Sequence, residues 1–136
     1  MSSDMYREQI IDLYENPMNF GNLDPNDWSY EEDNPLCGDV VKIDVKLDEN
    51  GKVADIAWEG DGCAISQASA SLLTEEVKGM TVAELKAFEG QRLLDLLGIP
   101  LSMARVKCAL LSLKVLKAGA YGIPDPEEMR KHLDLD

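Results

Sequence analysis

Residues 41 to 48 alternate strictly, with Val41, Ile43, Val45 and Leu47 apolar and Lys42, Asp44, Lys46 and Asp48 charged. Successive side chains of a strand point to opposite faces, so this stretch reads as a strand buried on one face only. Glu49-Asn50-Gly51 then supplies residues that tolerate positive φ, and Ala54, Ile56 and Trp58 bring the chain back with the same period. An antiparallel hairpin with one apolar face follows. Such a face needs a second layer to cover it.

That layer is legible further along. After Gly60-Asp61-Gly62-Cys63 the period switches, and Ile65, Ala68, Ser69, Leu72, Leu73 and Val77 recur at helical spacing before Gly79. Thr81 and Glu84 form a capping box for another helix, Gln91 to Leu97 closed by Gly98 and Pro100 gives a short one, and Val106, Ala109, Leu110, Leu113 and Leu116 mark a longer one ending near Gly119. Ahead of the hairpin, Tyr6, Ile10, Leu13 and Tyr14 lie on one helical face between the caps Ser3 and Asp4 and the stop Asn16-Pro17. Residues 18 to 33 read as loop, with an edge strand where Trp28 and Tyr30 alternate. Asp125-Pro126-Glu127-Glu128 starts a short terminal helix. Strands early and helices late predict an α+β layered domain, and 136 residues predict a single one spanning 1–136.

Charge narrows the partners. Thirteen Lys and Arg against 26 Asp and Glu leave a net charge of -13, which repels nucleic acid and anionic membrane surfaces. The opening Met1-Ser2-Ser3-Asp4-Met5 lacks a basic segment followed by an apolar run, and no stretch is apolar enough to span a bilayer, so a cytoplasmic location is expected. Three cysteines, with no C-x-x-C pair, cannot close a disulfide framework and fall one thiolate short of a four-cysteine metal site.

Asp39 is the candidate for the missing ligand. Thiolates bind soft and borderline metals, a carboxylate can complete four-coordination, and in Asn34-Pro35-Leu36-Cys37-Gly38-Asp39 the thiol and carboxylate stand two residues apart. A tight bend at Gly38 or a plain strand would each let both address one ion. Cys63 follows two glycines at a helix start, where the dipole and free N–H groups favour thiolate over thiol. Cys108 has the cationic neighbours Arg105 and Lys107, which would support an anionic site, and Ser112 follows it at i+4. A lone intracellular cysteine is more often a small buried hydrophobe, and spacing by itself does not link these three. His132 reads as a solvated residue and Met103 and Met129 as packing, since none has ligand neighbours.

Taken together, Asn34-Pro35-x-Cys37-Gly38-Asp39, Gly62-Cys63-x-Ile65-Ser66 and Val106-Lys107-Cys108-Ala109, in this order, resemble the IscU/SufU/NifU-N family of iron-sulfur cluster assembly scaffolds. Tyr6-Arg7-x-x-Ile10 through Tyr14-Glu15-Asn16-Pro17 resembles the family's opening helix, and Ala68-Ser69-Ala70-Ser71-Leu72-Leu73-Thr74 the helix after its second cysteine. The resemblance covers about Tyr6 to Gly119. It implies an α+β fold with a small three-stranded antiparallel sheet, helices packed on one side and the cysteines gathered at one exposed end. It also implies that Cys37, Asp39, Cys63 and Cys108 bind a transient 2Fe-2S cluster, with Zn2+ as the alternative occupant. A carboxylate holds cluster iron less well than a thiolate, so this fourth bond suits a cluster that is to be given away.

The same resemblance implies a pyridoxal-phosphate cysteine desulfurase as partner, which passes persulfide sulfur to a scaffold cysteine. Cys108 is the preferred first acceptor. Apo iron-sulfur proteins would be the recipients, a homodimer is expected when cluster is loaded, and the chain is expected to be a carrier and not an enzyme. Two features separate the family's branches. Lys107 stands where IscU-type members usually have His, as in the SufU branch, whereas the step from Cys63 to Cys108 is too short for the SufU insertion. The first feature keeps a zinc-dependent sulfurtransferase as the alternative, and the second favours the scaffold. Ile99-Pro100-Leu101-Ser102-Met103 only partly resembles the motif by which a DnaK-type chaperone recognises the IscU branch, so that interaction is not expected. The chain ending at Asp136 lacks the C-terminal C-x-x-C domain of full-length NifU, and a stand-alone scaffold is expected.

Overall fold

In the structure, a computed structural model, residues 3–34 and 38–122 are described. Cys37 and the expected terminal helix, with Met129 and His132, lie outside the described residues. Strands β1 (Trp28–Asn34), β2 (Asp39–Leu47) and β3 (Val53–Asp61) form an antiparallel sheet in the order β1-β2-β3, so the alternating run is the central strand. Its register sets Ile43 between Tyr30 and Trp58, and Val45 between Trp28 and Ile56. Val41, Ile43, Val45, Ile56 and Trp58 are buried on that face.

Ala54 and Asp44 of the hairpin depart from strict alternation, and Ala57, the cross-strand partner of Asp44, is buried with it. A register shift between Lys46 and Leu47 pairs Leu47 with Val53 while Lys46 still faces Asp55. Ala54 is therefore the extra residue of a bulge and is exposed, and Val53 takes the buried place expected of it. Asp44, expected on the solvent face, is buried because the segment preceding β1 folds over it. The Leu23 N–H (3.0 Å) and the Ser29 hydroxyl (2.6 Å) donate to its carboxylate, and the Lys42 ammonium stands 3.8 Å away. Those partners offset the desolvation that would otherwise drive the carboxylate outward.

The covering layer consists of α1 (Ser3–Glu15), α2 (Ala64–Glu76), α3 (Val82–Ala87), α4 (Gly90–Leu97) and α5 (Met103–Tyr121). The Thr81 hydroxyl accepts from the Glu84 N–H at 3.2 Å and the Glu84 carboxylate accepts from the Thr81 N–H at 3.1 Å, which is the expected capping box. Helix α5 packs on β1 and β2, α2 packs on β3, and the two helices pack on each other. Gly119 allows this close approach: a Cβ there would stand 3.4 Å from Trp28 Cε2 and nearer still to Cδ1 and Nε1. Ile10 and Leu13 of α1 join Ala68, Leu97 and Ala109 in a second apolar cluster outside the sheet.

The outer edge of β3 is sealed by the segment before β1. Asn19 C=O accepts from the Trp58 N–H (2.9 Å), Trp58 C=O accepts from the Gly21 N–H (2.8 Å), and the Trp58 indole donates to Met18 C=O (2.8 Å). Asn19, at φ 62°, also donates its side-chain amide to Thr74 (3.1 Å) and Glu75 (3.3 Å) of α2. Among the described residues no helix is long and apolar enough to cross a membrane.

Candidate metal centre

Period two puts Asp39 on the same face of β2 as Val41, Ile43 and Val45, at the end where that face runs out. Beside it β3 closes on Glu59-Gly60-Asp61 and passes through Gly62 to Cys63, the N-cap of α2. A Cβ at Gly62 would lie 2.7 Å from Asp39 Cγ and 2.9 Å from its Cβ, so the missing side chain is the space the carboxylate occupies. Asp39 is fully buried there. Its Oδ1 accepts from the Cys63 N–H at 2.9 Å, and its Oδ2 lies 3.7 Å from Cys63 Sγ. A buried carboxylate is thus held at the N-terminus of a 13-residue helix, where the dipole and unused N–H groups stabilise negative charge.

The third donor arrives from α5. Ser102 caps that helix by accepting from the Arg105 N–H at 3.3 Å, and Cys108, just over one turn in, is buried. One carboxylate oxygen of Asp39, Cys63 Sγ and Cys108 Sγ all lie within 4.8 Å of one another. A tetrahedral ion with bonds of about 2.3 Å sets its donors roughly 3.8 Å apart, so the group is close to the size of one ion's coordination shell. Cys63 is a free thiol and Cys108 is disulfide-bonded, so metal uptake calls for the reduced chain. Arg105 and Lys107 are both exposed, and among the described residues neither pairs with Asp39.

The structure therefore brings together three of the four expected donors, Asp39, Cys63 and Cys108, from a strand, a helix start and a helix. Two contributors were not singled out as such from the sequence. Gly62 makes room for the Asp39 carboxylate, and Gln67 anchors the turn by donating its amide to Gly62 C=O at 3.0 Å. Only the glycine pair before Cys63 signalled a close approach at that point.

A profile of the NifU-like N terminal domain matches residues 5–127. The chain belongs to this family. Among NifU-like relatives, the "Iron-sulfur cluster assembly scaffold protein IscU" of Haemophilus influenzae is 37% identical over 116 residues, covering 83% of this chain and 90% of the relative. The "Iron-sulfur cluster assembly enzyme IscU" of Drosophila melanogaster is 36% identical over 117 residues, 84% of this chain and 75% of the relative. Of solved structures, a crystal structure of a hypothetical protein superposes with a TM-score of 0.75 at 31% identity, covering 88% of this chain and 99% of that one. The "Putative iron-sulfur cluster assembly scaffold protein for SUF system" of Fervidobacterium islandicum AW-1 superposes with a TM-score of 0.68 at 29% identity, over the same shares of the two chains. The three-stranded antiparallel sheet with its helices is the fold of these NifU- and SufU-like neighbours.

Proposed function

We propose that this protein is an iron-sulfur cluster assembly scaffold that carries a 2Fe-2S cluster as cargo and does not turn over a substrate. The observation that supports this is the convergence of Asp39, Cys63 and Cys108 within 4.8 Å, in a chain similar to scaffold proteins over most of its length. Cys37 is the fourth donor of the proposal; it stands two residues before Asp39, within about 7 Å along the chain. Each iron of a 2Fe-2S cluster takes two of the four ligands, and Asp39 is the weakest of them because a hard carboxylate suits cluster iron less well than thiolate. The Cys63 N–H bonds Oδ1 of Asp39, so the carboxylate keeps a hydrogen-bond donor when it releases iron.

Sulfur reaches the site as a persulfide from a cysteine desulfurase, the thiolate of Cys108 attacking the outer sulfur while the desulfurase cysteine leaves as thiolate. Apo iron-sulfur proteins take the finished cluster, a second copy of the chain joins when it is loaded, and Arg105 and Lys107 lend positive charge beside Cys108. Reconstitution without oxygen, from ferrous iron, cysteine, a desulfurase and a thiol reductant that takes the persulfide sulfur down to sulfide, should give the visible absorption and Mössbauer signature of a 2Fe-2S cluster and then transfer to an apo-ferredoxin. A chain that keeps zinc and assembles no cluster refutes the proposal.

One observation favours a second reading, a zinc-dependent sulfurtransferase. Donors all within 4.8 Å suit a single tetrahedral ion, whereas a two-iron cluster spreads its ligands over two metals and requires the site to open. In this reading zinc holds the four residues together and exchanges one thiolate for the incoming persulfide. Desulfurase stimulation that survives iron chelation and disappears with zinc removal would select it.

A further inference from the structure

Two hydroxyls on the helices that supply the cysteines are buried with no hydrogen-bond partner, Ser69 on α2 (0% exposed) and Ser112 on α5 (1% exposed). An unmade hydrogen bond of this kind costs about 1–3 kcal/mol, and a helical serine ordinarily avoids it by donating to the carbonyl four residues back. The position on each helix separates the two. Ser69 lies six residues after Cys63, about 240° around the axis, and does not share a face with that thiol. Ser112 lies four residues after Cys108, offset by about 40° and one turn along. Helical side chains lean toward the N-terminus, which tilts the Ser112 hydroxyl toward the level of Cys108.

We propose that Ser112 is a positioning residue of the metal site: its hydroxyl donates a hydrogen bond to the Cys108 sulfur once that sulfur is a metal-bound thiolate. The inference rests on Cys108 being a ligand, as in the function proposed above. Thiol and disulfide sulfur are weak acceptors, whereas a thiolate is an anionic one, so the donor gains its partner only on loading. The bond fixes the direction of the sulfur lone pairs and draws charge from the metal–sulfur bond, as hydrogen bonds to ligating atoms do elsewhere.

The test uses the full chain, kept reduced with a phosphine, and Co2+ alone as probe. Bound cobalt reports thiolate ligation through its near-ultraviolet charge-transfer band, and competition with a chelator gives the affinity. Ser112→Ala should weaken cobalt binding about tenfold and shift the band, while the melting temperature of the metal-free chain stays level or rises because an unsatisfied hydroxyl has gone. Ser112→Thr, which keeps the hydroxyl, should restore the wild-type band. An alanine variant with wild-type affinity and band overturns the proposal, as does weaker binding with an unshifted band and a lowered metal-free melting temperature, which would mark a packing role. A wild-type chain with no thiolate–cobalt band overturns it together with the ligand role of Cys108. Wild-type protein that binds cobalt but assembles no cluster refutes only the scaffold reading, and the serine variants still decide this one.

Discussion

Gly62→Ala tests the site without altering any ligand. The new methyl would stand 2.7 Å from Asp39 Cγ and 2.9 Å from Asp39 Cβ, and nearer still to Oδ1. Contacts this short cannot persist, and the group that must move is the carboxylate, because Gly62 is pinned by its neighbours: its carbonyl accepts from Gln67 and it joins β3 to the α2 cap. Moving the carboxylate breaks the 2.9 Å bond from the Cys63 N–H. A hydrogen bond to a charged acceptor is worth about 1.5–3 kcal/mol and overpacking adds about 1–3, with no compensating gain from the unfolded chain because alanine is strained at the Gly62 φ of 158°. The expected net loss is about 3–6 kcal/mol, or roughly 9–18 °C in melting temperature for a chain of this size. Cobalt affinity should fall at least tenfold, since a donor has left its place. Asp39→Gly removes the three atoms nearest the new methyl, so in that background Gly62→Ala should lose the contact part of its cost and keep the backbone part, with a coupling of at least about 1 kcal/mol. Calorimetry of the metal-free proteins and cobalt titration of the reduced ones measure both quantities. A Gly62→Ala chain with unchanged melting temperature and cobalt affinity, or strict additivity with Asp39→Gly, refutes the claim that this glycine makes room for the carboxylate.

Gly119→Ala should destabilise by about 1–2 kcal/mol in urea unfolding, because overpacking against the Trp28 indole outweighs the roughly 1 kcal/mol that alanine gains in a helix; a stabilised variant would contradict the close approach. Asp44→Ala should cost about 2–4 kcal/mol by leaving the Leu23 N–H and Ser29 hydroxyl without an acceptor, and unfolding by urea measures it. The Glu75 carboxyl is held below its ordinary range, first by the hydrogen bond from Lys78 and then by that from Asn19. The depressed value means stability that is present above the unfolded-state pKa and lost as pH falls through the folded one. Lys78→Gln should therefore raise the Glu75 pKa toward normal in a carbon-detected NMR titration, with a stability loss near neutral pH of only about 0.3 kcal/mol because the pair is exposed.

Where backbone chemistry alone decides a feature, the chain states it openly. The alternation from Val41 to Leu47 specifies one buried face and hence a register, and Thr81 with Glu84 specifies a helix start whose two bonds are both present. Gly98 ends α4 in the left-handed region at φ 71°, as a glycine after an apolar run should. Features decided by partners distant in the chain are not legible in this way. Nothing local to Asp44 shows that residues 23 and 29 will supply donors, and nothing around Ala54 marks it as a bulge, since Val53 and Ala54 both fit a buried position. The edge strand near Trp28 was legible from two aromatics, but its continuation to Asn34 through Glu31, Glu32 and Asp33 depends on pairing with β2.

The same division runs through the site. Residue types at Asp39, Cys63 and Cys108 named themselves as donors, yet only tertiary structure brings a strand end, a helix cap and a helix turn within 4.8 Å. The consequence for mechanism lies in how Asp39 is held. Its carboxylate is buried and within reach of a metal, and its Oδ1 is bonded to a helix N-terminus while Oδ2 faces Cys63 Sγ, so the hydrogen bond stays whether or not an ion is held. A ligand that keeps a hydrogen-bond donor on its second oxygen lowers the barrier to releasing the metal, because the charge is never left bare in the interior. A thiolate in that place would bind cargo more tightly and offers a single atom for both the metal and the N–H, where the carboxylate has two oxygens. Asp39→Cys should accordingly raise cobalt affinity about tenfold or more and slow transfer of a reconstituted cluster to an apo-protein by a similar factor. Faster transfer from Asp39→Cys than from the wild type would refute the assignment of Asp39 as the releasing ligand.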